Sequence, residues 1–227
     1  MNKIINKIND ITPQNEKYNS KITHNTFMEL LHSTLYDYDC LIYSNQRYLS
    51  YYNLNLKIPI YNTENYELAN FEPDILKDNI NSIIHIPILI YNNNKTFHIS
   101  SFNINLDYKY CIYFDPYGHS TNCLIDKNDT NDIIASIKYE LVLNDIIDDS
   151  YKTIINNEPF QTNISANKHD WFYIYACPLV QILFMMFMNT HANLKYAKML
   201  KMMVILNNYS KKSDFKTLIG RLCSLVN

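Results

Sequence analysis

Trp171-Phe172-Tyr173-Ile174-Tyr175-Ala176-Cys177-Pro178-Leu179-Val180-Gln181-Ile182-Leu183-Phe184-Met185-Met186-Phe187-Met188 sets a cysteine directly before a proline and a long apolar run. Proline disfavours helical geometry at the residue before it and suits the first helical position, so the sequence predicts a helix opening at Pro178 with Cys177 as its N-cap. A thiol there would sit at the positive end of the helix dipole, where the thiolate is favoured and a cysteine becomes a nucleophile. The competing reading is a buried structural cysteine. From Trp171 to Leu194 there is no Asp, Glu, Lys or Arg. Pro178, Gln181, Asn189, Thr190 and His191 interrupt that stretch, and its unbroken apolar part is too short for a bilayer. The helix therefore reads as the buried centre of a folded domain. A membrane-anchored protein is the alternative.

The segments before this helix are β-rich. Ser82 to Tyr91 is a dense β-branched run with one proline, Phe97 to Leu106 alternates through Phe102, Ile104 and Leu106, and Tyr108 to Phe114 is aromatic and β-prone. Asn92 to Lys95 and Asp107 mark the turns. Asp132 to Asp148 reads as an amphipathic helix through Ile133, Ile134, Ile137 and Leu141, and Tyr151 to Asn156 as a short strand. Further upstream, two helices are expected between Thr26 and Tyr52, one carrying Phe27, Leu30 and Leu31 and the next Leu41, Ile42, Tyr48, Leu49 and Tyr52. Together they would form a helical cap. Tyr61 to Asn79 reads as a loop. Two helices close the chain, the last opening at Ser213. This order makes the protein α+β, a small antiparallel-rich sheet packed on a buried central helix. Residues 1–25 read as a polar arm and 26–227 as a single domain.

Composition bounds the chemistry. The 227 residues suffice for one full core, and a net charge of −2 with scattered lysines leaves no electrostatic footprint for nucleic acid. Cys40, Cys111, Cys123, Cys177 and Cys223 are odd in number and contain no C-x-x-C pair, so neither a disulfide framework nor a zinc site is predicted and no cofactor is called for. Two glycines, Gly118 and Gly220, rule out a glycine-rich phosphate loop. The first ten residues have no apolar core of signal-peptide length, which points to the cytoplasm.

A nucleophile needs a base and an orienting carboxylate. His98 opens one predicted strand and Asp115 closes the next, seventeen positions on. Two antiparallel strands joined by a turn at Asp107 bring those outer ends within hydrogen-bonding reach. Each residue also has a structural reading, His98 as a strand histidine and Asp115 before Pro116 as a turn former. His85, His119 and His169 stand at no recognisable interval from a partner and are expected at the surface.

The Ile84-His85-Ile86-Pro87-Ile88 strand, the His98 to Asp115 interval, the Tyr113-Phe114-Asp115-Pro116-Tyr117-Gly118 ending and the Ala176-Cys177-Pro178-Leu179-Val180 helix resemble the adenovirus proteinase (adenain) and SUMO-protease superfamily of cysteine peptidases. The resemblance runs from about Ile83 to Asn189 and more faintly to Asp39 through Ile42. It implies a papain-like fold of that type and a His98, Asp115 and Cys177 triad. It further implies a protein substrate cut after a small residue, either a viral structural precursor or the tail of a ubiquitin-like modifier, and for a viral enzyme a place in host cytoplasm or virion. The family's tryptophan after the histidine is Ile99 here, and its glycine after the cysteine is Pro178. Its oxyanion glutamine falls at Asp170 or Trp171. An ionised Asp170 accepts only, which leaves Gln161, Asn167 or the Trp171 indole as donors beside the Cys177 amide. Another alignment sets Asp170-Trp171-Phe172 on the family's Asp-Cys-Gly and makes Trp171 a lost nucleophile. These departures support an alternative, a catalytically inactive relative kept as a protein-binding module.

Overall fold

A computed structural model gives the architecture. The residues it describes are 24–43, 49–50, 53–54, 59–64, 66–79, 81–91, 97–118, 127–156, 159–160, 171–212, 215 and 217–218. The expected polar arm lies outside them up to position 23, and His24 and Asn25 already belong to the first helix, α1 (His24–Leu35).

The sheet is built on three long neighbours, β6 (Ile83–Tyr91), β7 (Phe97–Asn105) and β8 (Tyr110–Phe114), paired antiparallel in sequence order. Around them it becomes mixed. The short strands β1 (Cys40–Ile42) and β4 (Ile60–Asn62) lie end to end along the far side of β6, both parallel to it. Beyond β4 comes β5 (Glu67–Ala69), antiparallel, and on the opposite flank β9 (Lys152–Ile155) runs parallel to β8. A separate hairpin joins β2 (Leu49–Ser50) to β3 (Asn53–Leu54).

This corrects the upstream reading. Leu41 and Ile42, expected on a second cap helix, are strand residues opposite Ile84 and His85, and Leu49 belongs to the hairpin. The cap is α1 alone among the described residues. The expected loop from Tyr61 to Asn79 holds β5 and a short 3-10 helix over Pro73–Leu76. Runs of three residues carry no readable period, and their pairing is decided by the strand they dock on.

Pro87 sits inside a long strand because of this layout. His85 and Leu89 turn their backbone groups toward β1 and β4, the His85 carbonyl accepting from Tyr43 and the Leu89 N–H donating to Pro59. Pro87 shares their parity and faces the gap between the two short strands, where no ladder bond is required.

Alternation along β6 creates two apolar layers. Ile84, Ile86, Ile88 and Ile90 join Phe102, Ile104, Cys111 and Tyr113 beneath α2 (Lys127–Leu143), which contributes Ile133, Ile134, Ile137 and Leu141. On the other face Ile83, Leu89, Ile99, Ile112, Phe114 and Ile154 pack on α3 (Trp171–Thr190). Leu30, Leu31 and Leu35 of α1 and Met199, Met203 and Leu206 of α4 (Tyr196–Ser210) cover the back of α3. Phe215 and Leu218 are buried there as well, while the predicted start of the last helix at Ser213 lies outside the described residues. Enclosure from Leu179 to Met188 is why that run of α3 is apolar all round. Among the described residues no helix is long and apolar enough to cross a membrane.

Candidate active site

The β7–β8 hairpin builds half of the site. Ser101 pairs with Phe114, so His98 lies three residues before the last pair and Asp115 one residue after it. The imidazole Nε2 lies 2.7 Å from Asp115 Oδ1. Asp115 is also the first residue of a β-turn, in which Gly118 N–H donates to the Asp115 carbonyl at 2.9 Å and Tyr117 N–H to Oδ1 at 2.8 Å. Asp, Pro and Gly occupy the first, second and fourth positions that such a turn favours, and Gly118 has φ 61°, a left-handed conformation that glycine adopts without a Cβ clash. The turn-former reading and the histidine-partner reading of Asp115 therefore hold together.

Further contacts hold the strand end that carries Asp115 and the His98 ring. Asn156, just past β9, accepts from the Asp115 N–H at 2.6 Å and donates to the Asp115 carbonyl at 2.7 Å. Phe114 stacks on Phe184 of α3 with centroids 3.9 Å apart and planes 1° from parallel. The Tyr117 ring lies 4.9 Å from the His98 ring. Asn156 was missed in the sequence. Its only signal is an asparagine at the end of a predicted strand.

Cys177 comes from α3. Its Sγ stands 3.3 Å from His98 Nδ1 and donates to the Ile99 carbonyl at 3.1 Å. The three side chains form one line, thiol to Nδ1 and Nε2 to carboxylate. Cys177, His98 and Asp115 are 6%, 3% and 3% exposed, so little water screens them from one another. Burial alone would lower the His98 pKa, but the Asp115 carboxylate and Cys177, both hydrogen-bonded to the ring, outweigh it and hold the imidazole well above its ordinary value. Cys111 on β8, by contrast, is pushed by burial up to about 12.

His85 is the instructive contrast. Expected at the surface, it is fully buried, and its neighbours are two amides, Asn103 at 2.7 Å and Asn189 at 2.8 Å. Burial therefore dominates and lowers it to about 4. Two buried histidines on adjacent strands thus have opposite electrostatic settings, and only His98 has a carboxylate and a thiol.

The predicted helix boundary is corrected. The helix does not open at Pro178; α3 begins at Trp171 and carries Cys177 as its seventh residue, with Pro178 inside. An N–H at that depth points to the carbonyl four residues back. The Cys177 amide is thereby an internal helix donor, and the thiol has no N-terminal dipole of its own. Position 171 is six residues earlier, about 9 Å up the axis and turned by roughly a third of a circle from position 177. Of the other oxyanion candidates, Gln161, Asn167 and Asp170 lie outside the described residues, as do His119 and His169.

No family model matches the chain, and no curated relative matches it. Among solved structures it is similar to the SUMO protease Ulp1 with its catalytic cysteine oxidized to a sulfinic acid, at 13% identity and a TM-score of 0.44, over 99% of this chain and 92% of that one. It is also similar to the C-terminal Ulp1 protease domain in complex with Smt3, the yeast ortholog of SUMO, at 11% identity and a TM-score of 0.47, over 99% of this chain and 93% of that one.

Proposed function

We propose that this protein is a cysteine peptidase working through an acyl-enzyme, with Cys177 as nucleophile, His98 as base and acid, and Asp115 as the carboxylate that orients His98. The observation that carries this reading is the buried line from Cys177 Sγ to His98 Nδ1 and from His98 Nε2 to Asp115 Oδ1. In the reaction the thiol proton passes to His98 Nδ1, giving a thiolate beside an imidazolium; sulfur then attacks the scissile carbonyl carbon, and Nδ1 gives the proton to the leaving amine. Water resolves the thioester by the same route. Asp115 holds the Nε2–H tautomer and stabilises the imidazolium formed. By the family resemblance the substrate is a protein cut after a small residue, a viral precursor or the tail of a ubiquitin-like modifier.

One observation favours a second reading. With α3 continuous through Cys177, the amide assigned to the oxyanion lies within the helix, as suits a relative that binds such proteins without cleaving them. Ubiquitin-like modifiers bearing a C-terminal vinyl sulfone separate the two. A peptidase forms an adduct that mass spectrometry maps to Cys177 and that Cys177→Ala and His98→Ala both lose. Modifier binding without any adduct favours the binding module. Alkylation of Cys177 by iodoacetamide at an unchanged rate in His98→Ala would sink the peptidase reading.

A further inference from the structure

Gln181 is the one amide within the apolar part of α3 that follows Pro178, four residues and one turn past Cys177, and it is fully buried against the sheet. Its Nε2 donates to two carbonyls, Ile99 at 3.2 Å and Phe114 at 2.9 Å. Ile99 adjoins His98 and Phe114 adjoins Asp115. Continuing the β7–β8 register sets Ile99 opposite Pro116, which has no N–H, so the ladder cannot satisfy that carbonyl and Gln181 and Cys177 serve it instead. One side chain on the nucleophile's helix thus joins the two strands that carry the base and the carboxylate.

The orientation of this amide is itself fixed. Ser101 Oγ donates to Gln181 Oε1 at 2.7 Å, Asn103 Nδ2 donates to Ser101 Oγ at 2.8 Å, His85 Nδ1 donates to Asn103 Oδ1 at 2.7 Å, and Asn189 Nδ2 donates to His85 Nε2 at 2.8 Å. Every link donates in the same direction, toward Gln181. The chain leaves α3 at Asn189, crosses the face of β6 and β7, and returns to α3 two turns nearer Cys177. Bonds aligned this way polarise one another, and the low dielectric makes a broken link costly.

From this geometry we infer that Gln181, held by Ser101, Asn103, His85 and Asn189, is a positioning residue that sets the distance and angle between Cys177 and the His98–Asp115 pair. The inference rests on the triad reading above and adds a residue to it. Where Gln181→Met removes the donor that the two carbonyls share, α3 loses its tie to the strand ends and the sulfur drifts from Nδ1.

The test reads thiol chemistry, so no substrate need be known. The rate of Cys177 alkylation by iodoacetamide is followed against pH by mass spectrometry in the parent, Gln181→Met, Ser101→Ala, His98→Ala and, as a packing control, Leu206→Ala on α4. In Gln181→Met the rate near pH 6 should fall about tenfold, as expected when the sulfur loses its contact with the imidazole. Ser101→Ala should shift it the same way by less. Leu206→Ala should lower Tm and leave the profile in place. Profiles superimposed on the parent's in both Gln181→Met and Ser101→Ala, with a lowered Tm, would make Gln181 a packing residue and overturn the inference while the triad stands. Should Gln181→Met not fold, Ser101→Ala decides alone. A parent profile that His98→Ala does not change would remove the triad reading, and this inference with it.

Discussion

His85→Asn tests the buried polar chain through its proton rather than its contacts. In the folded protein His85 titrates at about 4 because it is fully buried between amides, whereas in the unfolded chain it titrates near its ordinary 6.5. A folded-state pKa below the unfolded one means that, as pH falls, the unfolded chain takes the proton first. Stability is therefore lost between about pH 6.5 and pH 4 and is level below that window. The gap corresponds to about 3 kcal/mol, a large share of the stability of a domain this size. His98 does not blur the window. Its raised pKa contributes stability that is fully present below about 6.5 and is lost only as pH rises through its folded value. His32, also lowered by burial, acts in the same direction as His85 but is common to both proteins and cancels in the difference. At pH 7.5 the variant should be less stable by about 1–2 kcal/mol, because asparagine keeps a donor for Asn103 but loses the acceptor for Asn189. Urea unfolding at pH 7.5, 6.5, 5.5 and 4.5 should then show the parent's advantage shrink and reverse as acid is added. An advantage that stays constant across the series would refute the buried, amide-flanked setting of His85.

Asp115→Asn should reduce kcat by roughly tenfold or more with a smaller effect on KM. It should also lower the His98 pKa, read by NMR titration, because the carboxylate that raises it is gone. It should cost about 1 kcal/mol of stability as well, since the bonds that Oδ1 accepts from His98 and Tyr117 lose their charge assistance. Gly118→Ala should destabilise by about 1 kcal/mol through its φ of 61° alone, measured by denaturant midpoint; an unchanged midpoint would mean that the turn is not held as described.

The hairpin half of the site was legible in the sequence because it is local. The His98 to Asp115 spacing, a turn near Asp107 and the Asp-Pro-Tyr-Gly ending together specify which strand ends meet. Burial of Ile133, Ile134, Ile137 and Leu141 follows from helical period in the same way. The start of α3 was misread because the proline rule concerns one missing hydrogen bond, a cost of about 3 kcal/mol, and cannot by itself end a helix whose following turns are buried from Leu179 to Met188. His85 was misplaced because its partners, Asn103 and Asn189, are distant in sequence and meet it only after the sheet and α3 have packed. Gln181 had a visible signal, a lone amide in an apolar run, which a helix enclosed on all sides must satisfy internally.

The split between hairpin and helix has a consequence for how the chain assembles. His98 and Asp115 are separated by 17 residues, whereas His98 and Cys177 are separated by 79. Closing the longer loop costs about 1.4 kcal/mol more chain entropy, before any allowance for docking a helix onto a sheet. A folding chain is thus expected to form the imidazole–carboxylate pair first and to receive the sulfur last. Pulse-labelled hydrogen exchange would show this as protection of the β7 and β8 amides ahead of those in α3. Until that final step the thiol stays apart from the imidazole, and the line of Cys177, His98 and Asp115 is complete only once the rest of the structure is in place.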